Sequence, residues 1–261
     1  TANPTTVTMN GNRSVTANFT QIPTVPDLQP VTLSGYFCPV VPSSIKNTHV
    51  AGTLYAGKGT FFDWHFTNAG NGPAGGSFHV EVWVDSTRIL RYPYADFAAG
   101  AAGGFDDWLA EGISAGIHTV RIVCDPDNTI AESNEGNNTW EGQFTWLPVT
   151  GWWAEFYNNE TLSGDPVLVR DDPAIDFDWQ SGSPGPGVNA DHFSARWTRT
   201  VSFAAGTYRF RVYRDDGARL IIDGQTVLDA WGYGREELTV DRTLTAGNHT
   251  IRLETYEIDG W

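Results

Sequence analysis

Asp215 and Asp216 are adjacent carboxylates on a glycine-bearing turn, in the run Tyr213-Arg214-Asp215-Asp216-Gly217-Ala218-Arg219-Leu220-Ile221-Ile222-Asp223-Gly224. Strand-like segments flank them on both sides. Neighbouring side chains of an extended strand point to opposite faces, so the pair could not share one ligand there. A turn, or a cis peptide between them, would aim both carboxylates at one spot. Like charges placed this way repel. A hard divalent cation such as Ca²⁺, which takes carboxylate and carbonyl oxygens, offsets that repulsion. The alternative is a plain hairpin turn in which the aspartates cap backbone amides.

Other motifs carry less. Gly112-Ile113-Ser114-Ala115-Gly116 fits the G-x-S-x-G spacing of serine hydrolases. That motif needs a strand before it and a helix after it; here a strand begins near His118, so the match is rejected. The acidic stretch from Asp125 to Asn138 has neither the glycine nor the terminal glutamate of an EF-hand in register. Asx turns explain it more simply. Asp171-Asp172-Pro173 reads as another turn. No zinc-protease helix motif, phosphate loop or cysteine–histidine dyad is present. A glycosidase needs two acids roughly 5–10 Å apart across a cleft, and nothing in the pattern selects such a pair.

The elements that must position these residues are strands. Phe78, Val80, Val82 and Val84 alternate with His79, Glu81 and Trp83, which gives one apolar face. Residues 60–68, 118–124 and 140–146 are further strands between turns, and no amphipathic helix stands out. Residues 1–21 form alternating strands around Asn10-Gly11, a favoured hairpin turn. They resemble the last hairpin of a bacterial surface repeat. Residues 22–26 are a linker, 27–147 a first sandwich, 148–150 a short joint and 151–261 a second sandwich. The fold class is all-β.

The 261 residues carry a net charge of −15, with 28 glycines, 14 prolines and only two lysines, Lys46 and Lys58. Such a balance excludes nucleic acid, because little here replaces the counterions around phosphates. It also speaks against anionic membrane, and no apolar run approaches the ~20 residues of a membrane span. Cys38 and Cys124 are too few for a disulfide scaffold. A bridge between them would contribute roughly 4–5 kcal/mol by chain entropy; two buried thiols are the other reading, and the sequence leaves both open.

Two family resemblances add to this. From Gly151 onward the chain resembles the anthrax-protective-antigen-type domain of toxins, glycosidases and adhesins. Trp153-Ala154-Glu155-Phe156-Tyr157-Asn158, Phe177-Asp178-Trp179 and Asp191-His192-Phe193-Ser194-Ala195-Arg196-Trp197-Thr198 carry the likeness. So do Gly206-Thr207-Tyr208-Arg209-Phe210, the Asp-Asp-Gly run and Ala246-Gly247-Asn248-His249-Thr250-Ile251-Arg252-Leu253. The preceding segment resembles the CARDB domain of bacterial cell-adhesion proteins. Its likeness rests on Pro26-Asp27-Leu28, Asn68-Ala69-Gly70-Asn71-Gly72-Pro73-Ala74-Gly75 and Cys124–Asn138. This implies an immunoglobulin- or fibronectin-like sandwich.

In lectin members of the first family the aspartate pair holds Ca²⁺, which binds sugar hydroxyls. The resemblance therefore implies an extracellular, secreted or cell-surface, non-catalytic module that binds glycan. Asp215 and Asp216 would be metal and sugar ligands, Trp231 and Tyr233 aromatic platforms for sugar C–H faces, and Asp229 a hydrogen-bond acceptor. A packed sandwich edge is the other reading of the aromatics. A stalk or filament module without sugar binding is the alternative function. Phe193 and Trp197 are expected in the core, with Asp191 and Arg196 pairing or capping. Family members usually carry one more strand after Trp261, and a neighbouring chain's N-terminal hairpin is one conceivable donor by strand exchange.

Overall fold

Periodicity of two with frequent Gly and Pro turns yields strands and no helix among the described residues. The structure is a computed structural model that describes residues 11, 18 and 20–259. The hairpin expected over residues 1–21 falls almost wholly outside them.

The first sandwich comprises β1 (Leu28–Pro30), β2 (Val40–Ser43), β3 (Leu54–Tyr55), β4 (Thr60–Asn68), β5 (Ala74–Val84), β6 (Thr87–Phe97), β7 (Ala102–Ala110), β8 (Gly116–Cys124) and β9 (Thr139–Leu147). One sheet is built on β4, which pairs with β1, β2 and β7. The other runs β3-β9-β8-β5-β6, with β3 parallel to β9. Phe62, Trp64 and Phe66 of β4 meet Phe78, Val80, Val82, Ile122 and Trp146 in one core. Trp146 is fully buried because its Nε1 donates to Thr60 Oγ1 at 2.9 Å.

Phe78, Val80, Val82 and Val84 are all buried, as their alternation requires. Their outward neighbour Glu81 is buried as well, at 4 % exposure. Arg88 and Arg91 pair with it and Trp83 Nε1 donates to it at 3.0 Å. A charge on the outer face of an edge-proximal strand is thus covered by its own cross-strand partners.

Cys38 and Cys124 are buried and free. Burial pushes the Cys38 thiol up to about 11 and Cys124 well above its usual value. The acidic stretch 125–138 is a set of local caps. Asp125 accepts from Ile130 N at 2.7 Å and from Thr129 Oγ1 at 2.9 Å. Glu132 accepts from Leu28 N and from Asn138 Nδ2, tying the loop to β1.

Burial, more than any neighbour, pushes Glu132 up to about 7. Its folded value thus lies above the unfolded one, so stability is fullest below about 4.5 and declines as pH rises through about 7. The melting temperature is expected to fall between pH 5 and pH 8, and Glu132→Gln to flatten part of that fall. Calorimetric scans across that range check it.

Asp171 accepts from Thr150 N and Gly151 N, both at 2.8 Å, and so clamps the joint between the sandwiches. Both lysines of the chain sit at this junction. Lys46 pairs with Asp165 at 3.1 Å, and Lys58 lies 4.8 Å over the Trp153 ring, which also meets Tyr55 edge-on.

The second sandwich comprises β10 (Trp152–Tyr157), β11 (Leu168–Asp172), β12 (Phe193–Phe203), β13 (Gly206–Arg214), β14 (Gly217–Ile222), β15 (Gln225–Ala230), β16 (Glu236–Leu244) and β17 (Gly247–Glu257). Six strands run β11-β10-β12-β17-β14-β15, and β13-β16 is a separate two-stranded ladder. Phe193 and Trp197 are in the core, each 1 % exposed. Asp171 and Asp172, expected on a turn, end strand β11 instead. Asp172 is buried because Trp197 Nε1 and Arg170 Nε both donate to it, at 2.8 and 2.6 Å. Arg196 reaches Glu254 at 3.0 Å and Glu155 at 3.8 Å.

Candidate functional site

The chain leaves β13 at Arg214 and enters β14 at Gly217, with Asp215 and Asp216 between. Gly217 faces Tyr256 across the β14–β17 ladder. Any Cβ there would stand 2.1 Å from the Tyr256 ring, so only glycine lets the turn close onto β17. Asp216 N donates to Tyr256 O at 3.1 Å, and Ile258 N donates to Asp216 Oδ2 at 2.8 Å. Asp216 is therefore held at both backbone and carboxylate, and is 2 % exposed. The Asp215–Asp216 peptide is cis.

Arg214 fastens the turn to the loop after β15. Its Nη1 donates to the carbonyls of Asp216, Ala230 and Gly232 at 3.2, 2.8 and 2.6 Å. One guanidinium thus sets the position of both segments, a use of its rigid fork. Asp215 points outward, with Oδ2 3.4 Å from Arg235 Nε. Arg235 Nε also donates to Tyr213 Oη at 3.2 Å.

The electrostatics of this corner are acidic. Burial pushes Asp216 up, and Asp215, Asp259 and Glu160 add to the shift. Burial pushes Glu257 up to about 7, with Asp216, Asp215, Asp191 and Asp259 adding in that order. Glu257 Oε1 is buried with no hydrogen-bond partner among the described residues. A carboxylate oxygen in that state is costly without a positive partner. The donors at this corner are all hard oxygens, which suits Ca²⁺ and not a thiophilic metal.

A cavity of about 490 Å³ opens beside Asp215, lined by Phe177, Trp179, Tyr213, Arg235 and Glu257. That volume is within the usual range of roughly 300–1,000 Å³ for small-ligand sites. Phe177 and Trp179 stack at 5.0 Å with an interplanar angle of 12°, over the buried Trp197. They lie on the segment between β11 and β12, far in sequence from the aspartates.

Asp229, Trp231 and Tyr233, expected from the sequence at the sugar site, do not line this cavity. Asp229 pairs with Arg219 at 3.0 Å and accepts from Trp231 N. Trp231 packs on Tyr256 at 4.9 Å, beneath the Arg219 guanidinium at 4.2 Å. Tyr233 is 69 % exposed on the loop. Phe177 and Trp179 occupy the aromatic place instead. The Phe-Asp-Trp triplet was visible as a motif, but no spacing rule relates residue 177 to residue 215.

Comparison with known proteins matches residues 148–261 to the PA14 domain family and residues 40–142 to the CARDB family. The chain is a CARDB domain followed by a PA14 domain. Domains of these two families make it an adhesion or binding module. It is 38 % identical over 107 residues to the anti-sigma-I factor RsgI3 of Acetivibrio thermocellus. The match covers 40 % of this chain and 16 % of that protein's length. An anti-sigma factor domain-containing protein from Clostridium clariflavum is 19 % identical in structural alignment, covering 91 % of this chain and 83 % of the other, with a TM-score of 0.39. The PA14 domain of the antifreeze protein MpAFP is 22 % identical, covering 42 % and 76 %, with a TM-score of 0.36.

In the CARDB domain Ser114, His118 and Asp85 do come together. Ser114 Oγ lies 3.3 Å from His118 Nε2, and His118 Nδ1 lies 2.7 Å from Asp85 Oδ2. The PA14 domain repeats the arrangement without a serine. There His249 Nδ1 meets Asp223 Oδ2 at 2.5 Å, and Nε2 meets Thr245 O at 3.1 Å. In both places the aspartate also accepts from the backbone amide after the histidine, Thr119 N or Thr250 N. The shared Ala-Gly-x-His-Thr pattern is thus a clasp between a turn and the neighbouring strand. That accounts for the serine's neighbourhood without catalysis.

Proposed function

We propose that the PA14 domain binds carbohydrate at the cavity beside Asp215, with Ca²⁺ held at the Asp215–Asp216 corner, and that the protein is not an enzyme. The observation that carries this reading is the union of a buried Asp216 beside an outward Asp215, an unpaired Glu257 oxygen and an aromatic-lined cavity. Asp215 and Asp216 would hold the ion, with Glu257 a further oxygen donor. Calcium, when bound, supplies open coordination for sugar hydroxyls.

The remaining work falls to this chain's side chains. Phe177, 37 % exposed and backed by Trp179, offers a flat apolar face for sugar C–H groups. Arg235 and Tyr213 present donors in the same cavity. Arg214 keeps the turn and the following loop at fixed separation. Single-site affinity from such a small contact is weak, and several copies along a surface would raise it by avidity.

The reading places the chain outside the cell, as part of a secreted or surface protein, with the CARDB domain as spacer or adhesion module. The acidic surface fits neither nucleic acid nor anionic lipid as partner. A glycan array probed with and without Ca²⁺ tests the proposal. Retention of specific glycans in calcium and its loss in excess EDTA are expected. Retention unchanged by EDTA overturns the calcium mechanism; no retention of any glycan leaves the stalk reading in its place.

A further inference from the structure

A second cluster of metal-ligating side chains lies in the CARDB domain, remote in sequence from the PA14 corner. Strand β4 carries Asp63 and His65 two residues apart, and therefore on one face. The β4–β7 ladder shifts register between Phe62 and Trp64, which brings the Asp106–Asp107 pair of β7 against this stretch. His49 joins from the segment between β2 and β3. His49 Nδ1 lies 2.9 Å from Asp63 Oδ2, and His65 Nε2 lies 3.4 Å from Asp106 Oδ1. One donor atom each from His49, Asp63 and Asp106 falls within 4.8 Å of the others.

Donors of a tetrahedral centre with bonds of ~2.0–2.1 Å stand about 3.3 Å apart. The His49–Asp63 and His65–Asp106 contacts are close to that spacing, and His65 borders the three-residue group through Asp106. Asp63 is 2 % exposed and anchored through its other oxygen, which accepts from Asp107 N at 2.8 Å. Tyr36 Oη contacts both Asp106 oxygens at 3.0 Å, and its ring packs on His49 and His65 at 4.2 and 4.6 Å. Asp63 and Asp106 thus each accept from an outer donor, and both imidazoles pack on the Tyr36 ring, which limits their orientations. No arginine or lysine pairs with Asp63, Asp106 or Asp107 among the described residues. Imidazoles are the only cationic partners of these three carboxylates among the described residues, which leaves the cluster net negative.

The donor chemistry sets the class of ion. Two imidazole nitrogens with two carboxylate oxygens select zinc and similar transition metals, whereas Ca²⁺ takes oxygen alone. We propose that His49, Asp63, His65 and Asp106 form a binding site for a zinc-like divalent ion, which staples the β2–β3 segment and β7 to β4. This site is separate from the calcium corner, and each can fail without the other.

The test uses the whole chain stripped of metal, titrated with Zn²⁺ calorimetrically and with Co²⁺ by visible absorption. One tight site per chain is expected, with the intense d–d bands of tetrahedral cobalt and no competition from millimolar Ca²⁺. The double variant His49→Ala/His65→Ala should weaken that site at least a hundredfold. Asp106→Asn, at a half-exposed carboxylate, should weaken it about tenfold with the fold kept; near-ultraviolet circular dichroism verifies the fold. Asp216→Asn should leave it intact. Absence of a tight site in the wild type, or zinc binding undiminished in both the double variant and Asp106→Asn, would overturn the proposal and leave a metal-free His–Asp network.

Discussion

Asp216→Asn will abolish calcium-dependent glycan retention while leaving the PA14 fold in place. The asparagine keeps an oxygen for Ile258 N, which now donates to Asp216 Oδ2 at 2.8 Å, so the clamp by β17 survives. What is lost is one of two adjacent negative charges facing the ion. Removing a carboxylate ligand from a hard-cation site should lower calcium affinity on the order of 100-fold. Asp215→Asn should act the same way, with an added small change as Arg235 loses its carboxylate partner and keeps its bond to Tyr213. Asp229→Asn should cost far less, because Asp229 is engaged with Arg219 away from the cavity. Titrating calcium against an immobilised glycan for all three variants separates these outcomes. Equal losses in all three would mean that the loop after β15, and not the aspartate corner, sets the site.

Gly217→Ala is the second large effect, and it acts through packing. The new methyl would sit 2.1 Å from the ring of Tyr256, which is buried and already packed against Trp231. Overpacking of this kind costs about 1–3 kcal/mol. The relief available is a shift of the turn, which moves Asp215 and Asp216 together. Both stability and calcium binding should therefore fall, and Gly217→Ala/Tyr256→Leu should recover a good part of the stability. Urea unfolding midpoints of the single and double variants measure it. An unchanged midpoint for Gly217→Ala would show that the β14–β17 contact is looser than described.

Local patterns made the architecture readable. The alternation of Phe78, Val80, Val82 and Val84 fixed one buried face, and several strands of the first sandwich followed from turn chemistry and period two, whereas the second sandwich rested on the family resemblance. The cores of both domains, including Phe193 and Trp197, were legible because large apolar residues have few other places to go. Glu81 was not: its burial depends on Arg88 and Arg91 of the partner strand, and register cannot be seen in one strand alone. The aspartate pair stood out as a candidate because two adjacent acids on a glycine turn repel one another. Its surroundings did not. Glu257 arrives through the β14–β17 ladder and Phe177 through a segment some forty residues upstream, so both are products of tertiary packing. Trp231 attracted notice for the opposite reason. It neighbours the turn in sequence, yet Arg219 and Tyr256 sandwich it away from the cavity. Similarly, His49, Asp63 and Asp106 share no sequence spacing and meet only through the shifted β4–β7 register.

Diffraction from crystals soaked in calcium together with an array-identified glycan, recorded for calcium's anomalous signal, reaches the central claim most directly. A peak between the Asp215 and Asp216 carboxylates, touched by sugar hydroxyls with the ring over Phe177, is the predicted result. Glycan seated without an anomalous peak at that corner would contradict it.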